Sequence, residues 1–276
     1  VATRGRGFTP NGLVTLTTDF GSSDGYVGAM KGVLLSVDAS LRLHDLAHDL
    51  PPQDVEHAAG VVRAACPWFP PGTVHLAVVD PGVGTARAPV VVRAGGQVFV
   101  APDNGLLGPV LAELGGATAV RRIDPEGRLG PWLRADAHTF HGRDLFAPAA
   151  ALLATGRVAV TEVGPPHTLL TWERVPPRRE ADGGMTGRVT DTDRFGNVVT
   201  DIHRAMLDGV PLEAMDVVLA DGRRLPMLRT YGEVPPGEAL GLFGSEGFVE
   251  IAVRGGSARN RLGLRRGATV RVAVRS

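Results

Sequence analysis

One cysteine, Cys66, in 276 residues excludes an internal disulfide and any metal cage built on thiolates. Lysine is as scarce. Lys31 is the only one, so Schiff-base chemistry has a single candidate, and its place in a helical pattern gives that chemistry no support. There is no excess of charge, because 29 Lys+Arg balance 29 Asp+Glu. Without a basic stripe, nucleic acid is not expected as the main partner. No uncharged apolar run approaches the ~18 residues of a membrane span. The opening Val1-Ala2-Thr3-Arg4-Gly5-Arg6-Gly7 has no apolar stretch of the kind that a secretory signal needs. The expectation is a cytoplasmic enzyme or binding protein that does not engage a membrane. What is present is ordinary for a globular chain: 43% hydrophobic and 21% charged residues, over a length that suggests two domains.

The first part alternates strand and helix patterns. Leu13–Thr17, Leu41–Asp45, Val74–Val79, Pro89–Arg93 and Gln97–Ala101 read as strands. Asp24–Val37 reads as a helix with Val27, Met30, Leu34 and Val37 on one face, and Pro52–Ala65 as a helix with proline at its start. Leu106–Leu114 and Phe146–Thr155 read as helices closed by glycine. This alternation predicts an α/β domain over 1–175 with a mostly parallel, helix-covered central sheet. A Pro/Arg/Gly-rich stretch, about 176–184, reads as a linker. Residues 185–276 then show short runs separated by turn signals, which predict a small all-β, barrel-like domain.

Several clusters could carry chemistry. Asp80-Pro81-Gly82-Val83-Gly84-Thr85-Ala86-Arg87 follows an apolar strand, and strand ends are where open α/β sheets bind ligands. Arg87 could hold Asp80 in a structural ion pair or orient it toward a water. Asp19 ends the first strand and suits either a ligand hydroxyl pair or an Asx-turn. Phe140-His141-Gly142-Arg143-Asp144 supplies a histidine that gains weight only if it converges with Asp80 and Arg87. Pro102-Asp103-Asn104-Gly105 is a strong turn signal. His44, Asp45, His48 and Asp49 suggest a metal site. The following Pro51-Pro52 denies them a helix on which to converge, so turn and cap roles are expected and no metal site is assigned. Asp193, Phe195 and Asn197 set an aromatic beside a carboxylate and an amide, and Phe243-Gly244-Ser245-Glu246-Gly247 offers hydroxyl and N–H groups. Both also read as turns.

Taken in order, these motifs resemble the S-adenosyl-L-methionine (SAM) hydroxide adenosyltransferase family, the SAM hydrolases related to fluorinase and chlorinase. The resemblance is carried by Thr17-Thr18-Asp19-Phe20-Gly21, Tyr26–Gly32, Asp80–Gly84 with Arg87, Pro102–Gly105, Phe140–Asp144, Phe195-Gly196-Asn197 and Ser245–Ala252. It implies hydrolysis of SAM to adenosine and L-methionine, with no cofactor. It implies a homotrimer in which SAM binds between the N-terminal domain of one subunit and the C-terminal domain of the next. Asp80, Arg87 and His141 would then be the water-activating triad and Asp19 the ribose ligand. Asp193, Phe195 and Asn197 would contact methionine or adenine, and Ser245 the amino-acid end. The alternative is a SAM- or adenosine-binding protein without significant turnover.

The resemblance also separates hydrolase from halogenase. The halogenases carry Tyr at the position of Asp80, Thr at Val83 and Ser at Gly142, and here those hydroxyls are lost. Glu246 stands where the halogenases have arginine, so the methionine carboxylate would be held differently. Asp201 and Ala47 are smaller departures, in place of the usual Asn and a common Thr. A SAM methyltransferase is disfavoured, because the loop Asp19–Asp24 after the first strand has one glycine rather than a glycine-rich run.

Overall fold

The computed structural model describes residues 7–134, 136, 138–170 and 175–275. The chain divides into two compact units, Val1–Trp172 and Glu173–Ser276. Among the described residues no helix is long and apolar enough to cross a membrane.

The first unit is built on a six-stranded sheet. Its strands are β1 (Leu13–Thr18), β2 (Arg42–Ala47), β3 (Val74–Val78), β4 (Pro89–Ala94), β5 (Gln97–Pro102) and β6 (Ala119–Arg122), in the order β2-β1-β3-β5-β4-β6. β1 runs parallel to β2 and β3, and β3 parallel to β5. β4 is antiparallel to both β5 and β6. The reversal follows from Gly95 and Gly96, whose positive φ angles of 57° and 81° make the two-residue hairpin between β4 and β5. Every residue of β1, β3 and β5 is buried, as expected of strands covered on both faces.

The covers are α1 (Tyr26–Val37), α2 (Val55–Ala65), α3 (Gly108–Glu113) and α4 (Ala147–Ala154). Met30 and Leu34 of α1 pack with Leu152 and Leu153 of α4 against Leu16 and Leu76. Ala58 and Val62 of α2 join Val110 of α3 against Ala77, Val79 and Phe99 on the other face. The apolar stripe of α1 is the expected one: Val27, Met30, Leu34 and Val37 are its buried residues. α4 is buried on all sides, so its small-residue run contacts its neighbours closely, and a π-helical turn, Gly142–Phe146, leads into it. α2 starts later than its sequence suggests. Gln53 takes φ 63°, outside helical space, so the first turn begins at Val55 with Asp54 accepting from the His57 N–H.

The second unit is an antiparallel sheet curled toward closure. Its strands are β7 (Arg178–Arg179), β8 (Met185–Thr192), β9 (Val198–His203), β10 (Met215–Leu219), β11 (Arg224–Pro226), β12 (Ala239–Phe243), β13 (Phe248–Val253) and β14 (Thr269–Val274). Their order is β11-β10-β14-β8-β9-β13-β12, with β7 beside β8. Beyond β11, Met227 bridges to Gly241 of β12, and the Leu228 N–H donates to the Gly241 carbonyl at 2.9 Å, which brings the two ends of the order together. Val198, Ile202, Val217, Val249, Ile251, Val270 and Val272 fill the inside. α5 (Ala258–Leu262) is capped by Ser257 and stopped by Gly263. Within the Pro/Arg/Gly stretch, Arg179 donates to the carbonyls of Gly183 and Met206, and Asp182 pairs with Arg271, so it is fastened to the second unit.

His75 on β3 is buried in the first unit. Its Nδ1 meets the Thr15 hydroxyl at 2.7 Å, its ring stacks on Phe99 at 4.8 Å, and desolvation pushes its pKa down from 6.5 to about 3. The unfolded chain takes up that proton near pH 6.5 and the folded chain resists it to about pH 3, so this contribution to stability is complete above pH 6.5 and declines as pH falls toward 3. The expected slope is up to ~1.4 kcal/mol per pH unit. Urea melts between pH 7 and 4 should show that slope reduced in His75→Asn, and an identical slope in both proteins would contradict this account.

Candidate functional site

β1 and β3 are neighbours, but the chain leaves β1 toward β2 on one side and returns through α2 to β3 on the other. The crevice at their carboxyl ends is therefore the topological switch point of the sheet, where open α/β folds bind ligands. Asp19 follows β1 and Asp80 follows β3.

The Arg87 guanidinium binds Asp80 with two bonds, Nε to Oδ1 at 3.0 Å and Nη2 to Oδ2. Nη2 also donates to Nδ1 of His141 at 3.0 Å. The two charged side chains are only 5% and 7% exposed, and the guanidinium lies over the Phe146 ring, 5.3 Å from its centroid. Arginine has donors and no acceptor, so His141 Nδ1 must accept. The imidazole is then neutral at Nδ1, with its proton on Nε2. Arg87 Nη1 is buried and has no hydrogen-bond partner among the described residues. The residues alone make Asp80, Arg87 and His141 separate candidates and the family resemblance implies a triad; the fold brings them into one hydrogen-bonded cluster.

Asp19 accepts the Gln53 N–H on Oδ2 at 2.7 Å, the contact that sets the left-handed Gln53 before α2. It thus braces a distant turn rather than forming the local Asx-turn that one of its sequence readings expects, while standing at the end of β1. Phe20, Tyr26 and Phe140 pack edge to face beside it, with ring centroids 5.3–6.0 Å apart. A Cβ at Gly142 would lie 3.1–3.2 Å from Phe140, Met30 and Phe20, so this glycine is tightly enclosed.

The histidine-rich segment disperses. Asp45 pairs with Lys31 at 2.6 Å and lies 3.0 Å from His48 Nε2. His48 Nδ1 binds the Thr18 hydroxyl, Asp49 accepts from Ser22, and the His44 ring sits against Phe69. Among the described residues no group of three or more His, Cys, Asp or Glu side chains could hold a metal ion.

In the second unit Asp193, Phe195, Asn197 and Ser245 line one pocket of about 660 Å³. Asp193 is engaged by its own loop. Its Oδ1 accepts the N–H groups of Phe195 and Asn197 at 2.9 and 2.8 Å, and its Oδ2 accepts the Asn197 side-chain amide at 2.9 Å. Phe195 is 79% exposed, an aromatic face presented to solvent at the pocket. Sequence reasoning missed Tyr231, Glu250 and Arg254, which line the same pocket. The Tyr231 hydroxyl donates to Glu250 Oε1 at 2.6 Å, and Arg254 Nη1 holds the Tyr231 turn by the carbonyls of Gly232 and Val234. Glu250 had a legible signal, a lone carboxylate inside the apolar strand Phe248–Val253. Burial pushes its pKa above the usual carboxylate range and the charge of Asp193 adds to this, while the Tyr231 hydrogen bond opposes it. The pocket thus combines exposed aromatic surface, buried negative charge and amide groups, a set suited to a cationic amino-acid head or a flat heterocycle.

Residues 14–164 match the SAM hydroxide adenosyltransferase N-terminal domain, and residues 187–271 match the C-terminal domain of the same family. A protein of Salinispora tropica named (R)-S-adenosyl-L-methionine hydrolase is 42% identical over 96% of this chain and 99% of its own. A protein of the same name from Thermus thermophilus is 43% identical over 94% and 98%. A fluorinase of Nocardia brasiliensis is more distant, at 30% identity over 96% and 99%. A crystal structure of a conserved protein from Thermotoga maritima superposes with a TM-score of 0.85 at 33% identity, covering 95% of this chain and 99% of that one.

The raised pKa of Glu250 means that the folded unit favours its protonated form, so keeping it ionised at neutral pH costs stability. Glu250→Gln removes that cost while retaining an acceptor for Tyr231. The expected result at pH 7 is a gain of about 1 kcal/mol, some 2–4 °C in Tm. An unchanged or lower melting temperature would show that the carboxylate is not under this penalty.

Proposed function

The chain belongs to the SAM hydroxide adenosyltransferase family, and on that premise we propose that it hydrolyses S-adenosyl-L-methionine to adenosine and L-methionine. The observation that carries the reading is the Asp80–Arg87–His141 cluster at the switch point of the first unit. The reaction is in-line displacement. A water oxygen attacks the ribose C5′, the C5′–S bond breaks, and its electron pair stays on sulfur as the sulfonium becomes a neutral thioether. A neutral leaving group needs no protonation, and the reaction calls for no cofactor. The site has to place water about 3 Å from C5′, opposite sulfur, and exclude other solvent.

Within the cluster, Arg87 can only donate, and it already occupies His141 Nδ1. Asp80 is then the group with lone pairs to orient the attacking water and receive its proton. Arg87 fixes the plane of that carboxylate, and His141 completes the hydrogen-bond set. Asp19 would hold the ribose hydroxyls. Asp193, Phe195, Asn197 and Ser245 would take the adenine and amino-acid ends.

Water is favoured over halide on two grounds. An isolated carboxylate would repel a halide 4 Å away by roughly 4 kcal/mol at an effective dielectric of 20. Arg87 offsets much of that field, which leaves Gly142 as the second ground: the position has no hydroxyl, and Phe20, Met30 and Phe140 crowd it. We further infer a homotrimer in which the cluster of one copy is completed by the C-terminal pocket of a neighbouring copy, acting in the cytoplasm and without nucleic acid or membrane partners. The near-neutral charge and the buried Cys66 thiol support that setting.

Incubation of the purified protein with SAM, with and without chloride, should give adenosine and methionine in both cases, read by chromatography. A 5′-halo product, or release of no more than one equivalent of adenosine, would overturn the assignment. Asp80→Ala and His141→Ala should each lower turnover by roughly 10²–10⁴-fold while SAM still binds, and full activity in both would remove the cluster from the mechanism. Co-expression of Asp80→Ala with Phe195→Ala tests the shared site: random trimers should recover about a quarter of the intact sites, whereas no recovery would place the site within a single chain.

A further inference from the structure

The Pro102-Asp103-Asn104-Gly105 turn lies at the end of β5, next to β3 in the sheet, and has no part in the chemistry above. It is bonded to both feet of the loop that carries the cluster. The Asn104 side-chain amide donates to the Val79 carbonyl, immediately before Asp80, at 2.9 Å. The Asp103 N–H donates to the Ala88 carbonyl, immediately after Arg87, also at 2.9 Å. The turn is itself held from behind, because the Asp103 carboxylate, 5% exposed, accepts from His167 Nε2 at 2.8 Å and from the Leu170 N–H at 3.0 Å.

We propose that Asn104, braced by Asp103, is a positioning residue for the reaction: it clamps the two ends of the 80–87 loop and so fixes the approach of Asp80 and Arg87 to each other and to His141. The inference rests on the reading of that cluster as the reacting group. The physical need is specific. Asp80 and Arg87 are seven residues apart on a loop rich in glycine and proline, and Gly84 is at φ 77°. Between the two charged residues the loop is closed by local bonds, Val83 N–H to the Asp80 carbonyl, and the Thr85 N–H and hydroxyl to the Gly82 carbonyl. Those bonds shape the loop without tying it to the sheet. The strand-side carbonyls of Val79 and Ala88 do so, and both are taken by the same turn. A displacement of about 1 Å in a reacting group can cost on the order of 10²-fold in rate.

Asn104 permits a clean test because its two ends do different things. Nδ2 donates to Val79, and Oδ1 accepts the Leu106 N–H, two residues before α3. Asn104→Asp keeps the acceptor and turns the donor into a charged acceptor facing the Val79 carbonyl, and Asn104→Ala removes the donor without adding charge. The expected result for Asn104→Asp is a kcat for SAM hydrolysis lowered by about 10–100-fold with KM changed less than about threefold, a melting temperature close to that of the parent, and amide hydrogen exchange about tenfold faster in peptides covering 79–88 and unchanged elsewhere. Asn104→Ala, which also loses the Leu106 bond, should show the same kinetic split with an added loss of stability. Unaltered exchange at 79–88, or faster exchange with unaltered kcat, would overturn the proposal, and so would a fall in kcat accounted for by the unfolded fraction. If the parent itself fails to turn over SAM, the functional reading has failed. The exchange result then still decides the clamp, supporting it if 79–88 alone is faster and overturning it if nothing changes.

Discussion

The interaction on which the rest depends is the Arg87 guanidinium, which binds Asp80 through two nitrogens and His141 through one of them. A charge pair this deeply buried carries a desolvation cost of several kcal/mol per ion, repaid only when geometry is good and the remaining donors and acceptors are used. The bidentate contact and the Phe146 ring beneath it meet most of that requirement. Removing one partner would strand the other, so the three residues behave as a unit. The same contact also fixes a chemical state. Because arginine cannot accept, it selects the His141 tautomer, and under the proposed function it leaves the carboxylate to act as the base.

A cluster of this kind needs a frame that does not yield. Three strands buried along their whole length supply it, each forming part of a sheet with helices on both faces. The order β2-β1-β3 does the rest, since the crossover from β1 to β2 and the one from β2 to β3 run in opposite directions and open a crevice at the carboxyl ends of β1 and β3. Asp19 and Asp80 stand there because of where their strands end. The antiparallel β4 has its own consequence: its first residue, Pro89, follows the loop directly, so β4 and β5 meet at the Asp103–Ala88 bond.

What could be read in advance divides along a physical line. The apolar run Val74–Val79 and the spacing of Val27, Met30, Leu34 and Val37 are local signals of burial, and β3 and α1 lie where those signals put them. Signals that depend on distant contacts were illegible. The start of α2 was misplaced because a carboxylate 34 positions earlier, Asp19, holds Gln53 out of helical space. β6, β7 and β11 have two to four residues, too few for periodicity to register. The family resemblance located Asp80, Arg87 and His141 but could not show that arginine is the centre of the three. Asp193 reads both as a ligand group and as a turn residue, and in the fold both of its oxygens cap its own loop. Glu250 carries a local signal as a lone carboxylate in an apolar strand, but its partner Tyr231, 19 residues away, is shown only by the fold.

The choice of nucleophile shows how the fold changes a sequence argument. From residue types alone, the case for water rests on the hydroxyls lost at Asp80, Val83 and Gly142 and on the negative charge of Asp80. In the folded protein that charge is compensated by Arg87, so a halide would meet a nearly neutral pair, and simple repulsion is a weaker filter than the bare carboxylate implies. The stronger filter is the lack of a hydroxyl to solvate a halide at position 142. Gly142 has no hydroxyl, and a side chain there would need Phe20, Met30 and Phe140 to withdraw by several tenths of an ångström. Val83 adds an apolar group in place of another hydroxyl. Dehydrating a small anion is costly unless donors replace its shell, and here the buried donor on offer is Arg87 Nη1, beside a carboxylate. Water needs both a donor and an acceptor, and the Asp80–Arg87 pair presents both.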